Sequence, residues 1–209
     1  MDDAGELLGW PFRDPRGLSR LLLTGLIWFG LSLTLIGIPL AAVNLTGWML
    51  TAADNLRAGR HELPPAGLYL RRGFRLFCVQ LAYLTVVAGV CGGLIVGGFR
   101  IGGIAGGLVA IFGQSLLLLA STLLVAVTPG IVHLTETGGI AGGLAVNRLA
   151  RLVAADPRAA AAAGLMSLLC LDIISPLGLV CVLGLVVTTP YAYAVLASTV
   201  VAYETRIRR

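Results

Sequence analysis

Residues 21–53, LLLTGLIWFGLSLTLIGIPLAAVNLTGWMLTAA, hold no charged side chain. A single helix of these 33 residues would be about 50 Å long, whereas the hydrocarbon core of a bilayer is about 30 Å thick. Gly37 and Pro39 interrupt the run, and a proline inside a helix removes a hydrogen-bond donor and clashes with the preceding turn. The stretch therefore predicts either one tilted, kinked helix or a hairpin of two shorter helices.

The arginines on either side of this stretch favour the hairpin. Loops rich in arginine or lysine stay on the cytoplasmic side of a membrane. The segment before the stretch carries Arg13, Arg16 and Arg20, and segment 54–75 after it is also rich in arginine, so the chain between them must cross the membrane twice. The arginines of segment 54–75 are Arg57, Arg60, Arg71, Arg72 and Arg75.

The same reasoning, continued along the chain, predicts an all-α polytopic membrane protein. Its six transmembrane helices form three helical hairpins in a single transmembrane domain over residues 1–209, and both termini are cytoplasmic. In this topology fourteen of the fifteen arginines lie on the cytoplasmic side, and only Arg100 lies outside. The predicted spans cover about 18–36, 39–53, 76–98, 102–128, 159–174 and 177–203.

Residues 142–155 are predicted to form a cytoplasmic interfacial helix rather than a span. Such amphipathic helices lie in the plane of the interface with one apolar face. The alternative, an extension of the neighbouring span, would place two arginines against lipid. The apolar face holds Ala145, Val146, Leu149, Leu152 and Val153, and the polar face holds Asn147, Arg148 and Arg151.

The tripeptide Asp-Pro-Arg occurs at 14–16 and again at 156–158, before the first and the third predicted hairpin. It indicates either an internal repeat or two independent helix starts, because aspartate caps a helix and proline suits its first turn. We favour the capping interpretation.

The composition argues against an enzyme. Charged residues make up 12% of the chain, about half the share of a soluble domain. All fifteen basic residues are arginine, so neither a Walker A loop nor a Schiff base can form. His61, His133 and the four cysteines lack metal-ligand spacing, and Ser115 lacks the second glycine of a nucleophile elbow. We expect no catalytic residue, metal or cofactor.

Glycines recur at a spacing of four residues in the middle hairpin. Small residues at that spacing let helix backbones approach closely, which predicts either a tightly packed hairpin or a subunit contact. A second GGIAGG sequence, at 138–143, is expected to be a flexible loop. The glycines of the middle hairpin are Gly102 and Gly106, Gly103 and Gly107, and, on the preceding helix, Gly89, Gly93 and Gly97.

Two charged residues, Arg100 and Asp172, stand apart from the others. Asp172 is the one acid within a predicted span, and the topology places it near the outer face, as it does Arg100. A carboxylate at the edge of the hydrocarbon loses hydration, and a nearby arginine can compensate. We predict a structural ion pair between them, direct or through water; the alternative is that each reaches interfacial water alone.

Short motifs near both ends of the chain resemble a prokaryotic membrane-protein family catalogued as a domain of unknown function. The resemblance rests on a PF-x-DP signature and an ELP signature, is good at both ends and is weak through the glycine-rich middle. It implies a multi-pass protein of the prokaryotic plasma membrane and no particular activity. The matching residues are PFRDP at 11–15, GWML at 47–50, NLRAG at 55–59, ELP at 62–64, Gly73-Phe74 and GLVVTTPY at 184–191.

Two functional hypotheses follow. The first is a non-enzymatic scaffold or accessory subunit that acts through helix packing and through its arginine-rich loops. Its partners would be anionic lipid headgroups, a membrane protein or a second copy, and not nucleic acid; alternatively, the arginines of segment 54–75 only enforce topology. The second hypothesis is a small transporter or channel with a site at the broken helices around Pro39 and Pro190.

Overall fold

The structure is a computed structural model that describes residues 4–178 and 182–207. Helices joined by short connections make up this part of the chain, and it contains no strand, so the all-α prediction is confirmed. The helices are α1 (Ala4–Gly9), α2 (Gly17–Ser32), α3 (Gly37–Arg57), α4 (Leu70–Ile101), α5 (Gly103–Ala126), α6 (Thr128–Gly143), α7 (Val146–Ala155), α8 (Pro157–Leu168), α9 (Ser175–Leu177) and α10 (Val182–Ile207). A 3₁₀ turn, Trp10–Phe12, follows α1, and a π-helical turn, Leu169–Ile174, joins α8 to α9.

Within the described residues, four helical stretches are long and apolar enough to cross a membrane, as expected of a multi-pass protein. They are Leu70–Ile101, Gly103–Ala126, Pro157–Leu177 and Gly184–Ile207, and the shorter apolar helix Gly17–Ser32 accompanies them. Helix α3 differs from these, because its residues 43–50 are all buried inside the protein. Length and composition thus support several spans, whereas the count of six stays a prediction. Residues 179–181 of the predicted last span lie outside the described residues.

The stretch 21–53 forms two helices rather than one. Helix α2 ends at Ser32, α3 begins at Gly37, and the two pack against each other. The backbone N–H of Gly37 donates to the side-chain oxygen of Thr34 at 2.9 Å, which closes the turn between them. Pro39 lies in the first turn of α3, where a proline is tolerated because that N–H has no helical acceptor.

The core is centred on α3 and α10 and also takes buried residues from the N-terminal turn, α2, α4, α6 and α7. Trp10 and Trp48 are fully buried there, and each indole has a partner. Trp10 Nε1 donates to the carbonyl of Ala194 at 3.1 Å, and Trp48 Nε1 donates to the carbonyl of Pro64 at 3.3 Å. A buried indole N–H without an acceptor would destabilise the fold, so these bonds fix where the N-terminal turn and the loop after α3 lie.

Helices α4 and α5 form a close hairpin. A Cβ added at Gly98 would lie 2.6 Å from the carbonyl oxygen of Gly106 and 2.6 Å from the backbone nitrogen of Ala110, so the two backbones touch. Gly102 and Gly103 form the turn, with φ of 70° and 62°, a region that favours glycine.

Only part of the predicted glycine pattern lies in that contact. Within the described residues, a Cβ added at Gly89, Gly93, Gly97 or Gly107 would meet nothing within 4 Å. Gly98, Gly106 and Gly113 make the contact instead, because they lie on the faces that α4 and α5 turn toward each other.

The region 138–158 corrects one expectation, supports part of a second and supports a third. Residues 138–143 are helical, within α6, with a kink at Gly139 where φ is 65°, so the expected flexible loop is wrong. Gly142 and Gly143 are buried there, and this packing holds the segment in place. Helix α7 covers only Val146–Ala155 of the helix predicted at 142–155. Leu149 of the predicted apolar face is buried, whereas Val146 is 58% exposed, and an interfacial position of α7 stays a prediction. The Asp156 side chain accepts the backbone N–H of Ala159 at 2.9 Å, which supports the capping interpretation of the second Asp-Pro-Arg.

Candidate functional site: a charged cluster between four helices

The loop between α3 and α4 is held onto the bundle by its backbone. Asp14, which is buried, accepts the backbone N–H of Leu63 at 3.0 Å and the guanidinium of Arg20 at 2.8 Å through the same carboxylate oxygen. Arg20 also donates to the carbonyl of Leu63. The PF-x-DP and ELP segments therefore contact each other, although 49 positions separate Asp14 from Leu63.

The two neighbours of Leu63 add further contacts. The carbonyl of Glu62 accepts Asn55 Nδ2 at 3.0 Å, and that of Pro64 accepts Trp48. Leu63 itself is 1% exposed and belongs to the main core. The Glu62 carboxylate, in contrast, is 69% exposed and lies 3.8 Å from Arg20. The ELP segment thus acts mainly through its backbone and through the leucine.

A partly buried ion pair links the end of α3 to α10. Arg57 Nε donates to one carboxylate oxygen of Glu204 at 2.9 Å, and Arg57 Nη2 donates to the other at 2.8 Å. This is the two-pronged geometry in which guanidinium–carboxylate pairs are strongest. The Glu204 side chain is 6% exposed and also lies 3.3 Å from His133 Nδ1, on α6. Burial disfavours the charged guanidinium, but the bonds and charges of Glu204 and Asp54 outweigh it and raise the pKa of Arg57.

Arg72 extends the pair into a cluster. Its guanidinium donates to Asp54 at 2.9 Å and to both carboxylate oxygens of Glu136. Asp54 in turn accepts Arg57 at 2.7 Å. The charged cluster thus joins α3, α4, α6 and α10, and its members are Asp54, Arg57, Arg72, His133, Glu136 and Glu204.

The structure divides the five arginines predicted as a contact surface. Arg57 and Arg72 belong to the charged cluster. Arg60, Arg71 and Arg75 are exposed and form no ion pair within the part of the chain that the structure describes. Arg71 and Arg75 line an open groove at the start of α4, and Phe74, which is 56% exposed, lies in the same groove.

The predicted pair of Arg100 and Asp172 forms no direct contact. Both side chains are exposed, and no ion pair within 4 Å joins them among residues 4–178 and 182–207. Arg100 lies in the last turn of α4, which packs on α3, α5 and α6, whereas the π-helical turn with Asp172 packs on α8, α9 and α10. Their different neighbours explain the missing contact, and a contact through water stays a prediction.

The sequence reasoning missed the acids that neutralise Arg57 and Arg72. Glu204 lies one residue beyond the predicted last span, and Glu136 lies two residues before the GGIAGG sequence at 138–143. An acid directly after an apolar helix is a signal, since it must reach water or a cation. In the described residues, no group of three histidines, cysteines or acids is arranged to hold a metal ion.

These features fit the class of multi-pass helical membrane proteins. The chain belongs to the family described as "Protein of unknown function (DUF4013)", whose profile matches residues 30–187. The predicted resemblance to a family of unknown function is therefore confirmed. The ELP segment lies inside the matched range, while PFRDP precedes it. No match was found among curated proteins or among solved structures.

Proposed function

We propose that this protein is a non-enzymatic scaffold or accessory subunit of a prokaryotic plasma membrane, and that it contacts anionic lipid headgroups through Arg71 and Arg75. The observation that carries this proposal is the division of the arginines. Arg57 and Arg72 are held in ion pairs that fix the helix ends, while Arg71 and Arg75 stay open on the same rigid surface. Each arginine near an anionic leaflet contributes about 1 kcal/mol of attraction.

The proposed topology has six spans in three hairpins, with both termini cytoplasmic. Helices α2 and α3 would form the first hairpin, α4 and α5 the second, and α8 and α10 the third. The pairwise packing of these helices supports the arrangement. Helix α7, whose Arg148 and Arg151 are exposed, would lie at the cytoplasmic interface.

The packing around Pro190 favours a scaffold over a transporter. Pro190 has no N–H, so the carbonyl of Val186, four residues earlier, lacks its helical donor. Gly25 of α2 packs directly against this carbonyl, because a Cβ added at Gly25 would lie 1.6 Å from the Val186 oxygen. A transport site at the broken helix needs a cavity there, whereas a neighbouring helix occupies the space. Pro39, at a helix start, breaks no helix.

Lipid binding tests the proposal. The purified protein is titrated with a short-chain phosphatidylglycerol, and bound lipid is counted by native mass spectrometry. We expect the double substitution Arg71→Gln/Arg75→Gln to weaken binding about 30-fold, from the loss of two such attractions. The matched control is Arg60→Gln/Arg100→Gln, which removes two exposed arginines that do not line this groove. Unchanged binding in the first variant, or an equal loss in both, would reject the contact role.

A further inference from the structure

A second groove runs along α8. Its volume is about 440 Å³, within the range of small-molecule sites in proteins, about 300–1,000 Å³. One wall is α8, and the others come from the end of α5, the start of α6, Val153 of α7 and Tyr203 of α10. Several residues that line the groove are small, among them Gly130, Ala160 and Gly164, and their size leaves the space open.

The groove is long and parallel to a candidate span. Its α8 wall begins at Pro157, continues through Ala161 and Gly164, and ends at Leu168. These positions lie three or four residues apart, so they form one stripe along the helix. The stripe covers about 16 Å at 1.5 Å per residue. Since Pro157–Leu177 is long and apolar enough to cross a membrane, an occupant of the groove lies along the membrane normal.

The lining excludes polar ligands. Tyr203 is the one lining residue whose side chain carries a polar group, and it is 3% exposed. A sugar or nucleotide would leave its hydroxyl and phosphate groups without partners there, which costs about 1–3 kcal/mol for each buried group. The occupant must therefore be apolar along its whole length, as a hydrocarbon chain is.

The charged side chains at one end of the groove indicate which headgroup the hydrocarbon chain carries. Arg158 follows Pro157 directly, is exposed and pairs with no acid in the described part of the chain. Arg151, on α7, is exposed as well. The nearby Asp156 carboxylate accepts the N–H of Ala159 through one oxygen and makes no ion pair with Arg158 in the described residues. We infer that the groove holds one acyl chain of an anionic phospholipid, with the phosphate at Arg158.

Photo-crosslinking tests this site in the full chain. The protein is reconstituted into phosphatidylglycerol vesicles that contain a trace of the same lipid with a diazirine in one acyl chain. After illumination, labelled positions are mapped by mass spectrometry. We expect labels on the α8 stripe and the facing residues, and about fivefold fewer in Arg158→Gln, from the loss of one headgroup attraction.

Two matched substitutions separate the groove from the general lipid surface. Ala161→Trp fills the groove and should abolish the labels on the stripe. Ala162→Trp, at an exposed neighbouring position outside the lining, should leave them unchanged. Ala161→Leu serves the same purpose as Ala161→Trp if the tryptophan variant does not fold. Because Arg71 and Arg75 are untouched, failure here leaves the proposed headgroup contact standing.

Three results would overturn the inference. Equal labelling of the wild type, Ala161→Trp and Ala162→Trp would mean that lipid only surrounds α8. Equal labelling from phosphatidylcholine vesicles would remove the role of Arg158. Crosslinks from α8 to a second copy, in place of lipid, would mean that another protein chain covers the groove.

Discussion

Arg57 donates to both carboxylate oxygens of Glu204, at 2.9 and 2.8 Å, and so joins α3 to α10 across 147 positions of the chain. The two side chains are unequally buried, with 25% of Arg57 and 6% of Glu204 exposed. Arg57 also forms an ion pair with Asp54 at 2.7 Å. Glu204, in contrast, has His133 as its other partner, and a histidine is charged only when protonated. Breaking the pair would therefore leave the charge of Glu204 less compensated than the charge of Arg57.

This asymmetry predicts unequal effects of breaking the pair. Arg57→Gln leaves a buried carboxylate without its main partner and should lower the free energy of unfolding by about 3 kcal/mol. Glu204→Gln should cost less, because Arg57 keeps Asp54. The double variant should be less destabilised than the sum of the two. Denaturant unfolding in detergent measures the free energy of unfolding of all three variants. The control is Arg60→Gln, because Arg60 is exposed and forms no ion pair in the described residues. Its free energy of unfolding should stay within about 0.5 kcal/mol of that of the wild type. Additive effects would contradict the pairing.

The anchored loop after α3 predicts a change in protease sensitivity. Asp14→Ala removes the acceptor of the Leu63 N–H and of Arg20, and bonds to a charged group contribute about 1.5–3 kcal/mol each. The loop should then open more often, so trypsin should cut after the exposed Arg60 about tenfold faster or more. Glu62→Ala, which alters only a weak exposed pair, should leave the rate near that of the wild type. Equal rates in both variants would show that Asp14 does not hold the loop.

The contact between α4 and α5 predicts opposite results for two glycines of the same helix. Gly98→Leu must push the helices apart, because the added atoms meet backbone of α5, and should cost about 1–3 kcal/mol or more. Gly93→Ala meets nothing within 4 Å in the described residues and should be neutral or stabilising by up to about 1 kcal/mol. Thermal unfolding in detergent compares them. A clear loss in Gly93→Ala would indicate instead that a second copy packs on this face.

The proposed topology predicts the side from which segment 54–75 can be reached. In a variant whose native cysteines are replaced, a cysteine at Ala58, an exposed position, should react with a membrane-impermeant maleimide in inverted vesicles and not in intact cells. A cysteine at Ile101, which is exposed at the end of α4 beside the turn to α5, should show the reverse. Labelling of position 58 from outside intact cells would rule out the six-span arrangement.

Local sequence signals predicted the helices well where a single cause sets each boundary. The span predicted at 102–128 agrees with α5 within a few residues, because the Gly102-Gly103 turn fixes its start. The helix start after Asp156 follows from a side chain that reaches only three residues ahead. Helix α4, in contrast, begins at Leu70, six residues before the span predicted at 76–98. Arg72 in its first turn pairs with acids from α3 and α6, and no local pattern indicates those contacts.

The arginines of the candidate site could be predicted from the sequence, but their ion-pair partners could not, because those partners lie far away along the chain. The Arg-rich segment was visible as a composition bias, and the DP and ELP segments were noted as separate motifs. Which arginines are paired depends on contacts such as Arg57 with Glu204 and Arg72 with Glu136, which join positions 147 and 64 residues apart. The predicted Arg100–Asp172 pair used the same reasoning from charge alone, without knowing which helices are neighbours, and no direct contact resulted.

The N-terminal turn is held by the last helix, and this has a consequence for biosynthesis. Trp10 donates to Ala194, and the carbonyl of Leu8 accepts the hydroxyl of Tyr191. During synthesis the first segment is made some 180 residues before these partners. Until α10 has been made, the Trp10 indole and the Leu8 carbonyl lack these hydrogen bonds, so the N-terminal turn can take its final place only as one of the last steps of assembly.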